Sequence, residues 1–383
     1  IAWMPGDGIG NDVMEATRLV LDALKLDAEY IHTDIGWEFW CKEGNALPDR
    51  SIKTLQSTTC GLFGAITSKP QDEAKDELAP ELKGKGLVYF SPIVRLRQLF
   101  NLHTNMRPCK SYEGNPLNYR GTAIANPPGP DGRVKDVMID QVVFRENTEG
   151  SYGGVEFFPL PQAVYDALCL NPKMKPWKDK GLENVALSTR IVSVQGCTNI
   201  CRQAFEFAKR TGRKRVTLVE KPNVLRETGG LMTRIFRKLA EEYKGAGIWA
   251  DENPQDYSVI VAENMFGDIV SDLCAGLVGG LGFAPSANLG DTYAVFEPTH
   301  GSAPKYAGQY KVNPHAMLLT AKMMLDWLGD GNGGGGAGEK QMAARLETAI
   351  SRVIKEGKVT TYDMGGKYTT IEVAKEVAKY VAH

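Results

Sequence analysis

Apolar runs typical of buried strands alternate with amphipathic helical stretches along most of this 383-residue chain. Examples are CGLFGAI from Cys60, RVTLVE from Arg215 and YSVIVAEN from Tyr257. Because helices commonly connect the neighbouring strands of a parallel sheet, this alternation favours an α/β fold with a largely parallel or mixed sheet. A chain of this length is long enough for two domains.

The glycine-rich start of the chain, IAWMPGDGIGNDV (1–13), lacks the Rossmann fingerprint of many dinucleotide-binding proteins. That fingerprint requires the spacing G-x-G-x-x-G, whereas Gly6, Gly8 and Gly10 fall on every second residue. The stretch therefore predicts only a strand, a tight turn and a helix that begins near Asn11.

Composition narrows the class of partner. Lysine and arginine together number 45, and aspartate and glutamate 46, so no broad basic surface is expected. This argues against a nucleic acid or an anionic membrane as partner and favours a small molecule.

Neither a membrane span nor a secretory leader is expected, because the sequence shows no apolar run long enough to span a bilayer and no charged-then-apolar stretch at its start. Its seven scattered cysteines do not suggest a disulfide framework, so a reducing, cytoplasmic location is expected.

Arginines mark the first candidate site. The stretch SPIVRLRQLFNLHTNMRP (91–108) contains Arg95, Arg97 and Arg107, and Arg145 directly follows the strand-like run VVF. The planar fork of a guanidinium suits a carboxylate. These arginines form either a carboxylate clamp or a set of surface side chains that pair with nearby acids.

A pair of acids marks the second candidate site. In ENMFGDIVSDLCAGLVGGLG (263–282), Asp268 and Asp272 lie four residues apart near the start of a predicted helix, so both project from one face. Two like charges this close need a cation, and Mg²⁺ or Mn²⁺ prefers carboxylate oxygens. The alternative is an exposed acidic pair stabilised by the helix dipole.

Other polar residues leave two interpretations open. Lys221, at a strand end, either exchanges protons near cations or is simply solvated. Tyr152 is either a proton donor or a half-buried phenol. The loop FEPTHGSAPKYAGQYKVNP (296–314) places Lys305 beside Tyr306, which suits a phosphate monoester but also an ordinary surface turn.

Taken in order, five motifs resemble those of the β-decarboxylating dehydrogenases, the isocitrate, homoisocitrate, 3-isopropylmalate and tartrate dehydrogenases. The motifs are LRQLFNLHTNMRP, FRENTEGSYGGVE, EKPNVL, NMFGDIVSD and EPTHGSAPKYAG. This family binds its nicotinamide cofactor without a Rossmann fingerprint. The resemblance implies the isocitrate/isopropylmalate dehydrogenase-like fold, with a large α/β domain (1–98 and 280–383) and a small α/β domain (99–279) that pairs with a second subunit.

The resemblance also implies roles for individual residues. Tyr152 would protonate the product enol, and Lys221 would reach into the partner's site to help deprotonate the substrate hydroxyl, so that a homodimer shares its active sites. Asp268 and Asp272 would bind Mg²⁺ or Mn²⁺. Relatives place a third aspartate further upstream, where Asp251 is the only nearby candidate and its spacing does not match. The implied substrate-binding residues are Ser91, Arg97, Arg107 and Arg145.

The cofactor expected from the resemblance is NADP rather than NAD. Lys305 and Tyr306 stand where NAD-dependent members usually carry aspartate and isoleucine, and a lysine attracts the 2′-phosphate that an aspartate would repel. A further phosphate ligand would fall near Gly366, where only Lys367 is available. The implied cofactor-binding residues are Glu297, His300, Gly301, Ala303, Lys305, Tyr306, Val312, Asn313 and Tyr362.

The expected reaction is the oxidative decarboxylation of isocitrate to 2-oxoglutarate and CO₂. The hydroxyl of Ser91 suits a third substrate carboxylate, and YGGVE resembles isocitrate enzymes. Ile93 stands where isocitrate enzymes have asparagine, however, and SPIV is closer to fungal homoisocitrate dehydrogenases, so homoisocitrate is the nearest alternative. Ser91 and Lys305 argue against an isopropylmalate or tartrate enzyme, and the presence of the catalytic residue types argues against a non-catalytic regulatory subunit.

Overall fold

The computed structural model describes residues 1–121, 127–129, 134, 137–251 and 257–382, and it confirms the predicted α/β class. The helices are α1 Ile9–Leu24, α2 Trp37–Glu43, α3 Asp49–Ser57, α4 Gln71–Asp76, α5 Pro92–Leu99, α6 Gln162–Leu168, α7 Val194–Thr211, α8 Thr228–Tyr243, α9 Asn264–Leu277, α10 His315–Gly329, α11 Ala337–Glu356 and α12 Thr370–Val381. The strands are β1 Ala2–Gly6, β2 Ile31–His32, β3 Gly61–Ala65, β4 Thr104–Lys110, β5 Asp140–Glu146, β6 Glu156–Phe157, β7 Leu187–Ser188, β8 Arg215–Val219, β9 Trp249–Asp251, β10 Val259–Ala262, β11 Pro285–Leu289 and β12 Ala294–Pro298.

A mixed sheet organises the chain. Within the described residues it contains ten strands in the order β2-β1-β3-β12-β11-β4-β5-β10-β8-β9. Neighbouring strands are parallel from β2 to β12 and again from β5 to β9. The antiparallel strands β11 and β4 join these two parallel halves. The centre of the sheet is therefore the place where residues from both halves meet.

Each half of the sheet has its own apolar core. In the first half, α1, α10, α11 and α12 bury side chains such as Leu21 and Met324 against Phe296. In the second half, α7 and α8 pack against β5, β8 and β10, and Phe205 stacks on Phe236. The division into domains at 1–98, 99–279 and 280–383 stays a prediction.

The glycine-rich start forms the predicted strand, turn and helix, but α1 begins at Ile9 rather than near Asn11. The earlier start is stabilised because the backbone N–H of Ile9 donates to the carbonyl of Ser302 at 2.8 Å. Gly8 has a positive φ of 55°, and a side chain there would clash with Ser302. The turn therefore packs directly against the segment that follows β12.

No helix in the described part of the chain is long and apolar enough to cross a membrane.

Candidate active site

Arg107 in β4 is buried and reaches the first turns of α9. It donates hydrogen bonds to Asp268 Oδ1 at 3.1 Å, to Ser271 Oγ at 2.8 Å and to Asp272 Oδ1 at 3.3 Å. Its Nε donates to Asn105 Oδ1 at 2.6 Å. A buried guanidinium is costly unless it is paired and hydrogen-bonded, and this one has a partner on each of its two sides.

Arg145, near the end of β5, converges on the same acid. It donates to Asp268 Oδ1 at 2.5 Å and to Asn264 Oδ1 at 2.9 Å. Burial lowers the pKa of Arg145, and the nearby charges of Arg107 and Arg97 lower it further. Since arginine stays protonated in proteins, the result is three positive charges held close together.

Arg97 completes this group from α5. Its Nε donates to Asn288 Oδ1, and one terminal nitrogen donates to Glu297 Oε1, each at 3.0 Å. Arg95, two residues earlier on the same helix, instead donates to Asn45 Oδ1 and to the carbonyl of Leu47. The structure therefore brings together Arg97, Arg107 and Arg145 and turns Arg95 away from them.

Asp268 and Asp272 lie one turn apart on α9, next to these guanidinium groups. Burial raises the pKa of Asp272, and the charge of Asp268 adds to the effect. Two neighbouring carboxylates are a suitable donor set for Mg²⁺ or Mn²⁺, which take their remaining oxygen ligands from substrate and water. Among the described residues, no group of three or more potential metal ligands is found. The side chain of Asp251 lies outside the described part of the chain.

Tyr152 lies over the arginine group. Its ring is 5.5 Å from the guanidinium carbon of Arg145, and its hydroxyl donates to Asp268 Oδ2 at 3.2 Å. The turn before it requires Gly150, which has a φ of 81° and packs so closely on Glu263 that a side chain would clash. Burial and the charge of Asp268 raise the pKa of Tyr152. The phenol is therefore protonated at neutral pH and available as a proton donor.

Lys221 stands apart from this group. It is exposed and follows β8, whose Val219 pairs with Ala262 of β10, which in turn pairs with Arg145. Two strand spacings, roughly 10 Å, separate Val219 from Arg145, and Lys221 lies two residues beyond Val219. Its ammonium has no hydrogen-bond partner within the described residues. The structure thus does not bring Lys221 into the site of its own subunit.

The segment after β12 begins beside the arginines. Glu297 is buried and faces Arg97. His300 Nδ1 lies 3.1 Å from the carbonyl oxygen of Gly301, and burial lowers the pKa of His300, so the imidazole is neutral at pH 7. Ala303 has a positive φ of 35°, a strained conformation for a non-glycine residue.

Further along, Lys305, Tyr306 and Tyr362 form an exposed cluster. The ammonium of Lys305 lies 4.9 Å from the ring centre of Tyr306. Burial, together with the neighbouring hydroxyl of Tyr306, raises the pKa of Tyr362. One cation and two hydroxyl groups are thus placed together at the surface.

Helix α1 anchors this segment. The carboxylate of Asp12 accepts the backbone N–H groups of Gly308 and Tyr310 at 3.0 and 3.1 Å. Beyond them, Val312 packs against the core of the first half and Asn313 is buried. Eight of the nine predicted cofactor-binding residues therefore lie in the segment 297–313, and Tyr362 joins Lys305 and Tyr306 from a later part of the chain.

Sequence reasoning missed the asparagines that support the arginines. Asn105 lies two residues before Arg107 on the same strand, so the period of two could have identified it as a neighbour on the same face. Asn288 has no such signal, because it meets Asn105 through the pairing of β11 with β4 and Arg97 through the packing of α5.

Comparisons with known proteins agree on one family. The family described as "Isocitrate/isopropylmalate dehydrogenase" matches residues 1–379. Protein DlpA of Legionella pneumophila is 40% identical across the whole chain, which spans 58% of that relative's length. The 3-isopropylmalate dehydrogenase of Methanothermobacter thermautotrophicus is 36% identical over 100% of this chain and 98% of its own. The crystal structure of isocitrate dehydrogenase from Methylococcus capsulatus has a TM-score of 0.79 and 32% identity, covering 100% and 99% of the two chains. This likeness confirms the fold predicted from the order of the motifs.

Replacing Arg145 by glutamine is expected to weaken the binding of a dicarboxylate such as malate. The loss of one charged hydrogen bond corresponds to about tenfold or more in affinity, measured by isothermal titration calorimetry. Arg95→Gln is the matched control, because its guanidinium points away from the group. Equal losses in the two variants would contradict the assignment of Arg145 to the anion site.

Proposed function

This chain belongs to the isocitrate/isopropylmalate dehydrogenase family, and on that premise we propose that it catalyses the metal-dependent oxidative decarboxylation of isocitrate with reduction of NADP. The observation that carries the proposal is the convergence of Arg97, Arg107 and Arg145 beside a neutral phenol and two carboxylates. Such a group suits a multiply charged hydroxy acid. Arg107 and Arg145 already donate hydrogen bonds to carboxylates of the chain itself.

The chemistry assigns one task to each part of this group. The arginines would hold and orient the carboxylates of a 2-hydroxy acid. The bound nicotinamide would supply a hydride acceptor for C2, while the hydroxyl proton would pass to a base and the carboxylate on C3 would leave as CO₂. Asp268 and Asp272 would hold Mg²⁺ or Mn²⁺, which when bound polarises the C2 oxygen and stabilises the enolate charge. Tyr152 then donates its proton to C3.

The base is Lys221 of the partner subunit. Within one chain Lys221 is exposed and lies two residues beyond Val219, which is itself two strand spacings (roughly 10 Å) from Arg145. Ile269 and Leu273 on α9 are 61% and 67% exposed, and each directly follows one of the two aspartates. An apolar face of this kind is expected to be covered by another protein surface. A second copy of the chain packed there would bring Lys221 to the opposite site and make the homodimer the active unit.

The surface cluster supports NADP over NAD. Lys305 offers a positive charge, and Tyr306 and Tyr362 offer hydroxyl donors, which together suit the 2′-phosphate of the adenosine ribose. The neighbouring acid, Asp363, accepts hydrogen bonds from Asn313 and Thr361.

The third carboxylate of isocitrate is assigned to Ser91. This residue precedes α5, and its hydroxyl forms no hydrogen bond with the described residues of the helix start. Free N–H groups at a helix N-terminus favour an anion. A second candidate is homoisocitrate, because the half-exposed ring of Phe90 beside Ser91 offers apolar surface to a substrate one methylene longer.

The test of the proposal is a panel of isocitrate, homoisocitrate, 3-isopropylmalate and tartrate assayed with NADP and NAD. We expect the purified chain to turn over isocitrate with NADP and to lose that turnover in excess chelator. Preference for another acid would replace the substrate assignment. Absence of turnover with every pair would contradict catalysis by this chain and leave a binding or regulatory role.

Lys305→Asp is expected to shift the ratio of kcat/KM for NADP over NAD by at least about tenfold toward NAD, because like charges repel across a binding surface. Lys311→Asp is the control, since it makes the same change of charge six residues further along the same segment. Equal shifts in the two variants would contradict a local phosphate site.

Subunit hybrids test the assignment of Lys221. Lys221→Met and Tyr152→Phe should each lose about a hundredfold or more in kcat. Heterodimers formed from both variants contain one intact site if Lys221 acts on the opposite subunit, so random pairing restores about a quarter of wild-type activity. If Lys221 acts within its own subunit, no heterodimer has an intact site and activity stays low.

A further inference from the structure

The side-chain amide of Asn288, in the middle of the sheet, is completely buried and makes five hydrogen bonds. Its Oδ1 accepts from Arg97 Nε at 3.0 Å, from Asn105 Nδ2 at 3.0 Å and from Asn147 Nδ2 at 2.9 Å. Its Nδ2 donates to Glu297 Oε1 and to a backbone carbonyl of β12. Three donors on one side and two acceptors on the other fix the orientation of this amide.

The partners of Asn288 lead to the proposed substrate-binding arginines. Arg97 bonds to Asn288 and to Glu297, which itself bonds to Asn288, so these three side chains form a closed ring. Asn105 bonds to Asn288 through its nitrogen and to Arg107 through its oxygen. The one amide therefore orients Arg97 directly and Arg107 through Asn105.

We propose that Asn288 is a positioning residue for acid binding, whose amide sets the directions of Arg97 and Arg107 without touching the substrate. The inference rests on the proposed function, since it assumes that these arginines bind the acid. The same amide holds Glu297, which the family resemblance assigns to the cofactor. Asn288 thus fixes the acid-binding arginines relative to the start of the cofactor-binding segment.

The substitution N288D distinguishes a residue that orients the arginines from one that only fills space in the core. When its carboxyl is protonated, the aspartic acid of N288D has the same shape as asparagine, with one oxygen that accepts and one O–H that donates. When the carboxyl is ionised, a negatively charged oxygen replaces Nδ2 and faces the carboxylate of Glu297. The charged groups that face the site are Arg97 from α5, Glu297 from β12 and, through Asn105, Arg107 from β4. His103 and Asp291, at the nearby strand ends, bond to each other.

In N288D, complete burial and repulsion from Glu297 raise the pKa of the new carboxyl, and they act against the charge of Arg97, which lowers it. The protonated, asparagine-like form of N288D therefore exists below that raised pKa and is lost as the pH rises through it. We expect the KM for isocitrate of N288D to approach the wild-type value at low pH and to rise about tenfold or more above it at high pH. The kcat should change less, because the amide touches no reacting atom.

The measurement is the pH dependence of KM and kcat for N288D and the wild type over about pH 5 to 9. N115D is the matched control, because Asn115 is also buried but bonds only to the backbone of Val278 and Leu117. Its KM profile should follow that of the wild type. If N288D does not fold, N288S is used; it lacks the oriented amide and should show a raised KM at every pH.

The inference would be overturned if the KM of N288D followed that of the wild type at every pH. Where N288S is used, a KM equal to that of the wild type would overturn it. A pH-dependent excess in N115D equal to that of N288D would also overturn it. A wild-type chain that turns over no acid of the panel would defeat the proposed function, and this inference with it. A wild type that turns over isocitrate beside an N288D that matches it would defeat the inference alone.

Discussion

The burial of three positive charges at the centre of the sheet is the constraint on which the site depends. Leaving one such charge unpaired in a protein interior costs about 3 to 5 kcal/mol. Asp268 meets two of the guanidinium groups and Glu297 meets the third. With Asp272, which is half exposed and also pairs with Arg107, three carboxylates face the three guanidinium groups. Under the proposed function, Mg²⁺ or Mn²⁺ held by Asp268 and Asp272 would supply the further positive charge that attracts a polycarboxylate.

The sheet topology meets this constraint at one place. Only β11 and β4 run antiparallel to both of their neighbours within the described sheet, and they bring Asn288 directly opposite Asn105. Neutral amides can donate and accept at once, so they orient charged neighbours without adding charge. An acid at either position would cancel part of the positive field, and an apolar residue would leave guanidinium N–H groups without acceptors.

Much of this arrangement could be predicted from the sequence. Strand and helix alternation predicted the α/β class, and the order of motifs predicted the fold. Arg95 and Arg97 show the limit: both are arginines on one short helix, and spacing alone did not say which faces the site. Which arginine faces the site depends on which side of α5 packs against β11 and β12, and that is the side of Arg97. Asn288 lay beyond prediction because its partners come from α5, β4, β12 and the segment after β5, which only the tertiary fold brings together.

Complete or partial burial shifts the pKa values of four groups in the site. Removal from water disfavours the charged form of any group, so burial lowers the pKa of Arg107 and Arg145 and raises that of Tyr152 and Asp272. Arginine has so high an ordinary pKa that it stays charged after this shift, whereas the phenol becomes still harder to ionise. Partial burial of Tyr152 therefore opposes the charge of Arg145, which lowers the pKa of the phenol, and Tyr152 stays neutral at pH 7 as an ordinary tyrosine does.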